Sequence, residues 1–290
     1  MAEAEAPVRY MERTRFYYRA LGYENDYVWA HNDDVPFARP RKPNRELAVA
    51  LVTTAGPPDG SNRDAQNRKQ VWSGQVASPP VSFDTDVAWD KESTHTDDRE
   101  TFLPIDAVKR LVADGTLGKL SARFHCIPTE YSQRKTNEHD APELLRRLRE
   151  DKVDAAILVA LCPVCHQSMS LVARHLEANG VPTVVVGSAL DVVEHCGVPR
   201  FLFSDFPLGN PCGHPWNKDM QTETMRLALS LLQTATAPRT TVRTPFEWKP
   251  DPEWRDRYAR VRPEEREKLL AIGDERRKAR GQPPRVVAKG

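Results

Sequence analysis

Residues 153–186 read VDAAILVALCPVCHQSMSLVARHLEANGVPTVVV, and the alternation within them decides the fold. Val153–Leu161 is apolar except at Asp154, a continuous run of the kind carried by a strand covered on both faces. Cys162-Pro-Val-Cys165 follows, and Pro163 suits the first turn of a helix, where its missing N–H would have no partner. The helical pattern runs on through Val172 to Gly180, a glycine placed to end it. Thr183–Val186 is then a second strand. A strand, helix and strand in this order predict a parallel pair joined by a crossover.

The same reading extends in both directions. Leu47–Thr53 (LAVALVT) is the first buried strand, and Leu120–Ile127 the second. Asp106–Gly115 and Ala141–Asp151 have the spacing of amphipathic helices. Beyond the quoted stretch, Val192–Cys196 ends a short helix, Phe201–Phe203 is the last strand expected, and Met220–Leu232 is a further helix. The fold class predicted is α/β, a mostly parallel sheet with helices on both faces and with extended N- and C-terminal segments.

Three regions are expected. Residues 1–45 carry many aromatics in a charged background and are predicted to wrap the main domain or a second subunit. Residues 46–236 form the α/β catalytic domain. Residues 237–290, rich in Pro, Arg, Lys and Glu, form a charged tail or oligomer arm, with a solvated helix over Pro263–Arg280. Inside the domain, Gly56–Lys91 is rich in Pro, Gly, Ser, Asn and Asp and reads as a long surface excursion.

The 290 residues include 42 basic and 41 acidic side chains. That balance removes the long-range field that draws a whole chain to nucleic acid or an anionic membrane. No stretch approaches the roughly 20 apolar residues needed to span a bilayer. Met1–Pro7 is acidic and alanine-rich rather than a basic segment leading an apolar one, so a cytoplasmic protein is expected. Five cysteines, Cys126, Cys162, Cys165, Cys196 and Cys212, are an odd number in a chain too large to need stapling.

The chemistry is expected at Cys162 and Cys165. In open α/β sheets reactive groups lie beyond the carboxyl ends of strands, which is where Cys162 falls. A thiol at the first turn of a helix meets unpaired N–H groups and the positive end of the macrodipole, both of which favour thiolate. Cys165, one turn on, can resolve an adduct on Cys162 as a disulfide. Two rival readings use the same residues. Zinc could be held by Cys162, Cys165 and His166 with a remote Cys196, Cys212 or His214. A cofactor-free racemase would need Cys126 or Cys212 to face Cys162 across a pocket. The Cys-x-x-Cys-His spacing also matches c-type haem attachment, which belongs to exported chains.

Two polar stretches supply candidate substrate contacts beside His166. Ser204–Pro215, after the last strand, offers Asp205, Asn210, Cys212 and His214, and Ser93–Phe102 offers His95, Asp97 and Asp98. Their bland readings are an ordinary turn and local capping. His125 and Cys126 stand at the end of a candidate strand. The partners expected are a small polar substrate, a thiol reductant or redox partner protein, and further copies of the chain.

At these residues the chain resembles the selenoprotein B family of glycine, sarcosine, betaine and D-proline reductases. Cys162-Pro-Val-Cys165 is similar to the family's selenocysteine-x-x-Cys, Gly180-Val-Pro182 to its Gly-Ile-Pro, and Phe206-Pro-Leu-Gly209 to its Pro-Leu-Gly loop. By position the resemblance puts Cys162 in the selenocysteine place and Cys165 in that of the second redox residue. It implies attack on a substrate carbon, cleavage of a C–N bond and release by thiol exchange. It also implies a pyruvoyl group carried by a partner subunit. Sulfur in place of selenium makes the nucleophile more dependent on pKa lowering by its surroundings.

Overall fold

A computed structural model describes residues 6–85, 90–129, 131–279 and 281. In chain order its elements are α1 (Tyr10–Ala20), β1 (Ala48–Thr53), β2 (Trp72–Gln75), α2 (Ile105–Ala113), β3 (Lys119–Leu120) and β4 (Arg123–Cys126). Then come α3 (Gln133–Lys135), which runs through a π-helical turn into α4 (Ala141–Glu150), β5 (Ala155–Val159) and α5 (Pro163–Ala178). The chain continues with β6 (Thr183–Gly187), α6 (Leu190–Cys196), β7 (Arg200–Phe203), α7 (Lys218–Thr234), β8 (Thr240–Arg243), α8 (Trp254–Arg257) and α9 (Arg266–Ala279).

The strands form one eight-stranded sheet in the order β2-β4-β1-β5-β6-β7-β8, with β3 also on β1. Every pairing is parallel except β2 on β4. The fold is thus α/β with a mostly parallel sheet. Every residue of β5, β6 and β7 is buried, as expected of strands covered on both faces. One helical layer sets α5 between α4 and α6, and α2 packs on α7 in the other.

Four expectations are corrected. Residues 72–75 of the supposed surface excursion pair antiparallel with β4. Gly74 permits this, because a Cβ there would fall 2.4 Å from the Phe124 ring. The second strand is divided at Ser121 and Ala122 into β3 and β4. Phe201–Phe203 does not end the sheet, because Thr240–Arg243 adds β8 beyond it. That edge strand has no buried residue, so it lacks the apolar run that marks an inner strand. The helix read as starting at Pro263 begins regularly at Arg266, and Arg280 lies outside the described residues.

Both flanking segments are fastened to the domain, through residues 30–38 and 273–277. Gln167 on α5 accepts the Ala30 N–H at 2.7 Å. Glu177, at the other end of α5, accepts from Ala38 N and Thr183 N, both at 2.5 Å, and from Arg200 Nη1 at 2.8 Å. Arg200 in turn donates to the Ala38 carbonyl at 2.7 Å and lies over the Phe37 ring. This carboxylate and guanidinium are fully buried but have charge partners and hydrogen bonds, which is what burial of charge requires. At the C-terminal end, Gly273 of α9 lies so close to the end of α1 that a Cβ would meet the Leu21 carbonyl oxygen at 1.9 Å. Arg277 donates there to the Leu21 and Gly22 carbonyls at 3.2 and 3.3 Å, a cation at a helix C-terminus.

Candidate active site

The order in which strands join the sheet reverses between β1 and β5: β1 has β4 on its outer side, whereas β5 leads to β6 on the other. That is the switch point of a doubly wound sheet, where diverging connections leave a crevice at the carboxyl ends of the strands. Cys162 stands there, joined to the end of β5 by Ala160 and Leu161, as the N-cap of α5.

The Cys162 sulfur accepts the Cys165 N–H at 3.1 Å, so the side chain of the candidate nucleophile itself caps the helix. The two sulfurs are joined as a disulfide across a Cα–Cα distance of 4.8 Å. Cys165 then has no S–H to give, so the Thr129 hydroxyl, 3.1 Å from its sulfur, is the donor of that contact.

Cys162 is 3% exposed, yet it lines a cleft of about 740 Å³. Thr129, Pro163 and Val164 border the cleft beside it, and Thr14, Tyr17 and Tyr18 bring in α1. The far wall is the C-terminal segment, with Tyr258, Arg260, Lys268, Leu269 and Arg276. Tyrosines tie these pieces together. Tyr18 and Tyr131 share a hydrogen bond at 2.8 Å, and Tyr27 donates to the Tyr131 carbonyl at 3.1 Å while accepting from Gln167 at 2.6 Å. Burial, reinforced by Tyr131, Tyr18 and Tyr17, pushes the Tyr258 phenol above its ordinary range, so it is neutral at pH 7. Among the described residues of this wall, Arg260, Lys268 and Arg276 outnumber the acid Glu265, so this part of the wall is positively charged.

The expected substrate contacts lie elsewhere. His166 is buried, and both of its ring nitrogens are committed to backbone: Nδ1 donates to the Cys162 carbonyl at 2.6 Å, and Nε2 accepts from Ser188 N and Ala189 N at 2.8 and 3.1 Å. Burial lowers its pKa to about 4, which keeps the ring neutral. It therefore has no nitrogen free for zinc or substrate in this structure. Asp98 caps a short turn at Glu100 and accepts from Trp216 N and Gln221 Nε2 at 2.6 and 2.7 Å. His95 and Asp97 are exposed and pair with each other, and the buried Asn210 donates to the His95 carbonyl at 3.0 Å.

Asp205 is buried and pairs at 2.5 Å with Arg243 and with Arg255, so it anchors β8 and α8. His214 lies on a separate hollow with Met220 and Phe246, its Nε2 3.0 Å from the Glu247 carbonyl. Cys212 and Cys126 are buried and do not border the Cys162 cleft, and burial pushes the Cys126 thiol up to about 12 and the Cys212 thiol up as well. Neither supplies a second thiolate facing Cys162. Cys196 is buried with Ala30 and Leu171, and burial pushes its thiol up to about 11. His125 is buried between Ser73 and Asp151. Among the described residues, no group of three or more His, Cys, Asp or Glu side chains is arranged to hold a metal ion. No helix among them is long and apolar enough to cross a membrane.

Both cysteines are legible in the sequence, whereas most of the wall around them is not. The missed residues are tyrosines of the first 45 residues and cations of the last 50, remote from Cys162 along the chain. The signal for the tyrosines is the run of aromatics in residues 1–45, and the signal for the cations is the recurrence of Trp248, Trp254, Tyr258 and Leu269 in an otherwise charged segment, since such residues need somewhere to be buried.

Among known proteins, residues 18–161 match the family described as glycine/sarcosine/betaine reductase selenoprotein B. The D-proline reductase subunit gamma of Acetoanaerobium sticklandii is 30% identical over 186 residues, 61% of this chain and 74% of that subunit. The glycine reductase complex component B subunit gamma of Symbiobacterium thermophilum is 24% identical over 226 residues, 74% of this chain. The sarcosine reductase complex component B subunit beta of Peptoclostridium acidaminophilum is 22% identical over 223 residues, 73% of this chain. The chain spans about half the length of these last two, 52% and 51%. No solved structure matches.

Proposed function

Because the chain belongs to the glycine/sarcosine/betaine reductase selenoprotein B family, we propose that it is the thiol-bearing component of a reductase complex acting on an amino-acid-like substrate. Cys162 is the nucleophile and Cys165 the resolving thiol. The observation that carries this reading is the Cys162–Cys165 pair at the switch point of the sheet, with Cys162 bordering a cleft large enough for a small molecule.

The proposed steps balance. The Cys162 thiolate attacks the carbon that bears the amine; an S–C bond forms and the C–N bond breaks, its electron pair leaving on nitrogen, which takes a proton. The Cys165 thiolate then attacks the Cys162 sulfur; the S–S bond forms, the S–C bond breaks, and the carbon takes a proton. The substrate has gained two electrons and the pair has become a disulfide, which a dithiol reductant reopens. Activation of the amine belongs to a pyruvoyl group on a partner polypeptide. The cations of the cleft wall suit the carboxylate of such a substrate.

Trapping tests the reading. Reduced Cys165→Ser protein, assembled with its partner components and given D-proline, glycine, sarcosine or betaine, is expected to accumulate a substrate-derived mass on Cys162, because the second step is blocked. Full turnover by Cys162→Ser protein in the same assembly would contradict it.

A further inference from the structure

His166 holds two corners of the sheet edge together. Its Nδ1–H donates to the carbonyl of Cys162, the residue that ends the β5–α5 corner, and its Nε2 accepts from Ser188 N and Ala189 N of the β6–α6 corner. The Cys162 carbonyl also accepts the His166 backbone N–H at 3.1 Å, so its direction is set by two donors from one residue. Gly187 makes room for the ring: a Cβ there would fall 2.4 Å from Nε2. The backbone so fixed is the one that aims the Cys162 sulfur at the Cys165 N–H.

We infer that His166 is a positioning residue that sets the reactivity of Cys162, by fixing the N-cap backbone from which its sulfur takes the helix N–H. This rests on the proposed role of the cysteine pair. When the disulfide is reduced, the N–H held at the sulfur stabilises a thiolate. A disulfide whose reduced form is stabilised is the stronger oxidant, so loss of the clamp shifts the equilibrium toward the disulfide. Two glutathione molecules reduce the pair to a dithiol and leave as glutathione disulfide, which makes that equilibrium measurable.

The test compares the wild-type chain with His166→Leu, Gly187→Ala and His166→Gln in glutathione buffers. Gln offers an amide donor and an acceptor, as the neutral imidazole does. His166→Leu removes the ring, whereas Gly187→Ala displaces it, so the second reports even where the first does not fold. Both are expected to favour the disulfide by about tenfold, about 30 mV for a two-electron couple, and to slow alkylation of reduced Cys162 by iodoacetamide by a similar factor; His166→Gln should stay much nearer the wild type. Folded His166→Leu and Gly187→Ala proteins that match the wild type within twofold in both measurements overturn the inference. A wild-type pair that does not cycle at all overturns the reading of the cysteines as well, which distinguishes the two failures.

Discussion

The imidazole of His166 accepts two backbone N–H groups at one nitrogen, an arrangement open only to the neutral ring. Burial holds its pKa at about 4, below the value of roughly 6.5 for the unfolded chain. The unfolded state therefore binds a proton first as pH falls. The contribution of this residue to stability is complete above about pH 6.5, declines between there and about pH 4, and changes little below. At pH 5 the expected loss is about 2 kcal/mol relative to pH 7.5. Urea denaturation of the wild type and His166→Gln at the two pH values measures it, since Gln does not titrate and the stability of the wild type relative to the variant should fall by that amount at low pH. Equal pH dependence in both would show that the ring is not held neutral. The cysteine motif is legible in the sequence because two thiols, a proline and a strand end occur together. The clamp is not, because a histidine after Cys-x-x-Cys reads equally as a ligand until its backbone partners, Ser188 and Ala189, are known.

Among the elements, β1, β5, α5 and β6 are legible as buried runs joined by a helix, since burial on both faces leaves a continuous apolar signature. The edge strands β2 and β8 are not, because neither carries such a run and the pairing partner of each is remote. The helix of α9 is legible but its seat is not, because the seat depends on a glycine and on the Leu21 and Gly22 carbonyls just beyond α1 rather than on an apolar stripe. Gly273→Ala should lift α9 from Leu21 and speed both proteolysis near residues 244–265 and alkylation of reduced Cys162, the latter by about threefold or more. Unchanged rates would mean that α9 does not limit access to the cleft. The cations that α9 and the preceding turn bring can be tested by charge: replacing Arg260, Lys268 and Arg276 with Gln should lower the rate of iodoacetate relative to neutral iodoacetamide by about threefold at low salt, an effect that screening by salt should erase in the wild type.

At the scale of the whole molecule, a doubly wound sheet sets one cysteine pair at its switch point, and the two chain ends close over it. The α/β class follows from local patterns, whereas the enclosure depends on contacts between residues far apart in the chain, such as Arg277 with Leu21. The proposed function requires that, of the five cysteines, Cys162 be reachable and reactive once its disulfide is opened. Brief treatment of the reduced chain with iodoacetamide at about pH 7, followed by mass mapping of all the thiols, tests it most directly. Cys162 is expected to be labelled first, with Cys126, Cys196 and Cys212 protected until the protein unfolds; labelling of Cys162 no faster than those buried thiols would show that it is not the reactive thiol.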